Sequence, residues 1–169
     1  IAAHRGTITD RFGEPLAVST PVDSIWANPK ELSAAIDKVP QLAKALNRNT
    51  TELTQRVTSN LDREFLYLSR HMQPADAARI KVLGIPGVYA LREYRRYYPA
   101  GEVTGHALGF TSIDDSGQEG LELAFDHWLA GEDGQKRVIQ NRMGQIVQDV
   151  ESIRAVRPGR DLVLSLDMR

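Results

Sequence analysis

The sequence predicts an α+β fold: short β-hairpins and a mixed sheet, with packed helices and a small helical insertion. Three observations carry that reading. Residues 7–19 alternate in polarity around a Gly/Pro break, and residues 28–61 combine two helix-capping patterns with apolar residues at helical spacing. Residues 120–148 place an apolar helical stripe directly before a hairpin pattern. The 169 residues suffice for one compact domain or two small lobes, and a 41% hydrophobic content supplies a core.

Along the chain, Gly6-Thr7-Ile8-Thr9-Asp10 and Leu16-Ala17-Val18-Ser19 flank Arg11-Phe12-Gly13-Glu14-Pro15 as the arms and turn of a hairpin. A second extended run, Val22 to Ala27, stops at Asn28-Pro29. There Asn28 can cap a helix, Pro29 suits its first position, and Glu31 follows three residues after the cap. Leu32, Ala35, Ile36 and Val39 continue with helical spacing. Pro40 restarts a short helix with Leu42, Ala45 and Leu46 on one side, and Asn49 with Glu52 forms a second capping pattern before Leu53, Val57 and Leu61. Glu64 to Leu68 is β-rich. Pro74 then opens a helix through Ala78, Val82 and Leu83 that Gly84 terminates, and Val88 to Tyr98 is extended until Pro99.

The clearest helical pattern lies between Gly120 and Gly131. Leu121, Ala124, Phe125, Trp128 and Leu129 make its stripe, which predicts them as core and leaves Glu122, Asp126 and His127 outside. Arg137 to Gln140 and Gln145 to Gln148 then flank the turn Asn141-Arg142-Met143-Gly144. Pro158-Gly159 introduces a last strand with Leu162, Leu164 and Leu166 on one face. A strand so near the end of the sequence leads us to expect a further domain beyond it, and an apolar edge prone to self-association without that domain.

Charge and composition exclude several classes. Twenty-one Lys and Arg against 22 Asp and Glu leave a net charge of -1, so no global field recruits a polyanion. With no cysteine there are no disulfides, thiolate nucleophiles or thiolate metal sites. No run approaches the ~18 apolar residues of a membrane span, so a soluble piece of something larger is expected. His4, His71, His106 and His127 are scattered and fit no ligand pattern, and Asp114 to Glu119 lacks the alternating register of a calcium loop. No metal or cofactor is expected. Arg92 to Tyr98 mixes base and aromatic like a nucleic-acid or glycan platform, but reads better as a strand whose cationic stems cover apolar surface. Glu119 and Glu122 could serve a carboxylate-dependent hydrolase, although their spacing reads better as capping or ion pairing.

Four separated strings resemble the non-catalytic N-terminal part of class B penicillin-binding proteins, the membrane-anchored transpeptidases that crosslink bacterial peptidoglycan. The first is Arg5-Gly6-x-Ile8-x-Asp10-Arg11-x-Gly13-x-x-Leu16-Ala17. The second is Arg96-x-Tyr98-Pro99-x-Gly101, followed by His106 and Gly109. The third runs from Gly117-x-x-Gly120-Leu121-Glu122 through Phe125-Asp126 to Gly131. The fourth joins the Gly144 hairpin to Pro158-Gly159 and the strand Leu162 to Asp167, with Asn141 standing where the family pattern has an aspartate. The short insertion and the run Arg95 to Val103 are most similar to the division-specific members of Gram-negative bacteria.

The resemblance implies an elongated pedestal, residues 1–27 and 64–167, with 28–63 as a helical insertion and a catalytic transpeptidase domain following residue 169. It further implies a place on the periplasmic face of the inner membrane. The implied partners are that transpeptidase domain, a membrane-embedded septal glycosyltransferase and bitopic division proteins, with no nucleic acid. Family catalysis needs a Ser-x-x-Lys helix, a Ser-x-Asn partner and a Lys-Thr/Ser-Gly strand, and none of these occurs here. No residue is therefore assigned as catalytic. The candidate structural and interdomain residues are Arg5, Gly6, Asp10, Arg11, Gly13, Arg96, Tyr98, Pro99, Gly101, His106, Gly109, Gly120, Glu122 and Gly144. Among them, we expect arginines to pair with Asp10 or Glu122 and lock the first hairpin onto the 120–130 helix.

Overall fold

A computed structural model describes residues 1–101, 105–140 and 146–165. The chain forms two compact units: Ile1–Pro21, Tyr94–Arg137 and Val150–Arg169 in the first, and Val22–Glu93 with Val138–Asp149 in the second. Residues 28–63 lie inside the second unit together with residues 64–93.

Strand β1 (Ile8–Thr9) runs antiparallel to β2 (Pro15–Ala27), with Ile8 opposite Ala17. The hairpin arm and the run from Val22 are one strand, not two. Pro21 is exposed and falls between the residues paired with β1 and those paired with β3 (Leu66–Met72), a position where a missing N–H is tolerated. Helix α1 (Pro29–Ser33) starts where the cap predicts, Asn28 Oδ1 accepting the Lys30 N–H at 3.1 Å. The reciprocal half of that capping box is replaced by tertiary bonds. The Asn28 N–H donates to Gly87 O at 2.9 Å, and Glu31 Oε2 accepts the Tyr89 hydroxyl at 2.6 Å.

A 3-10 turn, Ile36–Lys38, leads into α2 (Val39–Ala45). Leu32, Val39 and Leu42 are buried as their spacing predicts, whereas Ile36 and Ala45 face outward because the turn resets the helical phase. Asn47, at φ 55°, closes α2: its N–H donates to Lys44 O and the Arg48 N–H to Ala43 O, two of the carbonyls a helix end leaves open. Helix α3 (Thr50–Thr58) is capped by Asn49, whose Oδ1 accepts the Glu52 N–H at 3.1 Å, and it buries Leu53 and Val57. Replacing that cap, Asn49→Ala, is expected to cost about 1 kcal/mol of unfolding free energy, read from denaturant midpoints.

Helix α4 (Pro74–Val82) buries Ala77 and Ile80, while the predicted Ala78 and Val82 are exposed and the predicted Leu83 packs against the core. Gly84, at φ 62°, turns the chain after α4, and Ile85 enters the same core. Strand β4 (Val88–Tyr97) pairs with β2 and ends before Pro99. Ile25, Leu32, Val39, Leu42, Leu68 and Ile80 make the centre of the second unit's core.

In the first unit, α5 (Gly105–Leu108), α6 (Gly120–Ala124) and α7 (Asp126–Ala130) are short helices. Strands β5 (Gln135–Gln140) and β6 (Ile146–Arg154) pair with each other, and their turn, with Asn141 and Gly144, lies outside the described residues. Strand β7 (Leu162–Val163) runs parallel to β1, Ile8 opposite Leu162. The core of this unit is Ile8, Leu16, Ala17, Leu108 and Leu129. Leu162 and Leu164 pack against it, so two of the three leucines expected at an open apolar edge are half-covered, while Leu166 lies outside the described residues. Among the described residues no helix is long and apolar enough to cross a membrane. The mixed sheet and the helices beside it make the α+β fold that the sequence predicts.

Candidate functional site

The helix expected over residues 120–131 is two helices. It breaks at Phe125, whose φ of -111° and ψ of 24° separate α6 from α7. The predicted stripe is consequently wrong in part: Leu129 is fully buried and Leu121 half-buried, but Ala124, Phe125 and Trp128 are exposed. Glu122, placed on the solvated side by its charge, is 0% exposed.

A fully buried carboxylate is tolerated only when hydrogen-bonded and matched in charge. Glu122 is both. Its Oε1 accepts Arg5 Nε and Arg96 Nη2, each at 3.2 Å, and its Oε2 accepts Arg96 Nε at 2.8 Å and the Tyr98 hydroxyl at 2.7 Å. These four donors fill the roughly four lone-pair positions of an ionised carboxylate. Each guanidinium then reaches further. Arg5 Nη1 donates to Asp126 Oδ1 at 2.7 Å and to Asp115 O at 3.2 Å, Arg5 Nη2 donates to Glu122 O at 2.9 Å, and Arg96 Nη1 donates to Ser19 Oγ at 2.9 Å. Asp126 Oδ1 also accepts the Gly117 N–H at 2.8 Å. Burial, reinforced by the bond to Glu122, pushes the Tyr98 hydroxyl pKa well above the ordinary tyrosine range, so it remains a donor.

Through Glu122 and its two guanidiniums the cluster joins the N-terminal segment, β2, β4, α6 and α7 within the first unit. Chemically it holds and does not react. A carboxylate with every lone pair engaged, flanked by two cations, has no free pair with which to take a proton, so Glu122 cannot act as a general base. Such a buried pair contributes more to fixing a unique arrangement than to net stability, because desolvation offsets much of the attraction.

The other sequence-derived candidates fall in several places. Asp10 is buried and shapes the hairpin turn, its Oδ1 accepting the N–H groups of Phe12 at 2.8 Å and Glu14 at 2.9 Å. Arg11 is exposed, its guanidinium 4.7 Å from the centre of the Phe12 ring. Gly6 donates its N–H to Leu129 O at 2.8 Å, and a Cβ there would lie 1.9 Å from Arg160 O. Gly109, next to α5, has the same constraint, a Cβ falling 1.9 Å from Glu119 O, and Gly120 starts α6 at φ 58°. Gly13 and Gly101 adopt positive φ in open space, with Gly101 and exposed Pro99 in the turn after β4. His106 lies in α5. Asp126, Ser19 and the Asp115 carbonyl were missed. Asp126 stands four residues after Glu122, the helical spacing that shares a face, and that was the available signal.

Fold and cluster together define a class of protein: an α+β domain of two units, one of them clamped by a buried arginine–glutamate network. A family model described as the penicillin-binding protein dimerisation domain matches residues 1–164, and the chain belongs to that family. It is 45% identical over 169 residues to the probable peptidoglycan D,D-transpeptidase PbpC of Pseudomonas aeruginosa, covering all of this chain and 30% of that protein. It is 44% identical over 174 residues to the peptidoglycan D,D-transpeptidase FtsI of Escherichia coli K12, again over the whole chain and 29% of the relative. The chain thus spans about three-tenths of the length of these relatives. Among solved structures, its fold matches penicillin-binding protein PBP2 in complex with MreC from Helicobacter pylori, with a TM-score of 0.69 and 23% identity over 99% of this chain and 36% of that one. A peptidoglycan synthetase from Bifidobacterium adolescentis matches with a TM-score of 0.64 and 26% identity over 99% of this chain and 35% of that one.

Proposed function

We propose that this chain is the non-catalytic N-terminal domain of a septal peptidoglycan D,D-transpeptidase, acting by position and contact. In that role it holds the following penicillin-binding domain above the inner membrane, on the periplasmic side. It also presents surfaces to a membrane-embedded septal glycosyltransferase and to bitopic division proteins. The observation that carries the reading is the saturated Glu122: a fully buried acid of the family strings is spent on holding elements together. The likeness to two D,D-transpeptidases over the whole chain supports the parentage, and the absence of the Ser-x-x-Lys, Ser-x-Asn and Lys-Thr/Ser-Gly motifs supports the lack of chemistry. A fold neighbour solved with MreC supports a partner-binding role.

The test uses the full-length parent and a mild change in the clamp, Arg5→Lys, which keeps the charge but not the forked geometry. Penicillin acylation per folded molecule is expected to stay within about twofold of the unaltered protein, whereas cross-linking in the assembled division complex falls by about tenfold, as misplacement of a reacting group predicts. Equal losses in both would count against a positioning role.

A further inference from the structure

The loop from Phe110 to Gln118 closes on itself beside the cluster. Ser112 N–H donates to Ser116 O at 2.8 Å, Asp115 N–H to Ser112 O at 2.9 Å, and Gln118 N–H to Phe110 O at 2.9 Å. Asp115 occupies the loop at φ 63°, a left-handed conformation that a non-glycine residue adopts at a cost of roughly 1 kcal/mol. Its carbonyl is held by Arg5, yet its carboxyl is not: Oδ1 is buried without a hydrogen-bond donor.

The charged groups facing that carboxyl are Arg5 from the N-terminal segment, Arg96 from β4, Glu122 from α6 and Asp126 from α7. Two guanidiniums are already matched by two carboxylates, so an ionised Asp115 is a third anion against two cations. Burial pushes the Asp115 carboxyl from its ordinary 3.8 up to about 6, with Arg5 and Arg96 opposing the rise and Glu122 and Asp126 adding to it.

We infer that the 110–118 loop is a proton-sensitive latch on the Arg5 clamp: with Asp115 protonated the loop stays closed, and with Asp115 ionised it favours a conformation that turns the carboxylate to water and breaks the bond from Arg5 Nη1 to the Asp115 carbonyl, while the bonds of Arg5 to Glu122 and Asp126 remain. The latch operates whether or not the chain is a transpeptidase domain. Because the closed loop holds the proton more tightly than the open one, closure is most favourable at low pH. It weakens as pH rises from about 4 to about 6, and levels off above that. A value of 3.8 in the open loop against about 6 in the closed loop raises the opening equilibrium about tenfold between pH 5 and pH 7.

The experiment is amide exchange on the full chain, expressed as protection factors so that intrinsic pH effects cancel. Protection at Asp115, Gly117 and Gln118 is expected to fall about tenfold between pH 5 and pH 7, and to stay level in Asp115→Asn, whose side chain cannot ionise but accepts the same backbone conformation. Asp114→Asn, a change in the exposed neighbour, is expected to keep the pH dependence. Equal dependence in the protein and in Asp115→Asn overturns the latch. A carbon-13 titration of the Asp115 carboxyl in the unaltered protein provides a reading independent of any variant: a midpoint near 6 supports the latch, and one near 4 overturns it.

Discussion

Glu122→Gln is expected to lower the unfolding free energy by about 3–5 kcal/mol, the cost of removing one partner from a buried ion pair. The substitution changes almost no volume, so the loss reports charge and hydrogen bonding. The amide leaves Arg5 and Arg96 with one carboxylate fewer, and its NH2 group meets the donors that Glu122 now accepts. Both guanidiniums are buried, with side chains 0% and 1% exposed, so water cannot replace the missing acceptor. Urea unfolding at pH 7 measures the loss. Glu119→Gln, three residues away on an exposed side chain, is expected to shift stability by no more than about 0.5 kcal/mol. Similar midpoints for the two variants would refute the structural role of the cluster.

Gly6→Ala is expected to cost about 3 kcal/mol or more, because the added methyl would sit 1.9 Å from Arg160 O and cannot be relieved by turning a side chain. The backbone has to separate instead. That movement strains the Gly6 N–H bond to Leu129 O, and the Leu162 and Leu164 N–H bonds to Thr7 O and Thr9 O that join β7 to β1. Gly13→Ala provides the comparison, since Gly13 has φ 83° but open space around it. There the cost is conformational only, about 1–2 kcal/mol. Denaturant midpoints for the pair separate steric contact from backbone preference, and equal losses would show that the close approach at Gly6 relaxes without penalty.

What could be read from the residues alone follows from how local each signal is. The caps at Asn28 and Asn49, the first hairpin and the extended run expected over Val88 to Tyr98 depend on a few neighbouring residues, and the structure has them, the last strand ending one residue early at Tyr97. The continuity of β2 through Pro21 was not legible, because whether a proline breaks a strand depends on which residues its neighbours pair with. The burial of Glu122 was hidden for the same kind of reason. Periodicity assigns a charged residue to water, and only tertiary structure supplies the two arginines and the tyrosine that reverse the assignment. The exposure of Phe125 and Trp128 follows from the break in the helix, which no glycine or proline announces. The family strings did lead to the expectation that arginines pair with Asp10 or Glu122, and Arg5 and Arg96 both bond Glu122, but the strings gave no sign of Ser19.

The role proposed for this chain is to hold and not to react. Its most direct test is incubation of the 169-residue chain with a fluorescent penicillin, beside the full-length parent under identical conditions. The parent is expected to take up the label covalently and the chain to take up none. A stable adduct on any side chain of this chain, mapped by mass spectrometry, would contradict the account.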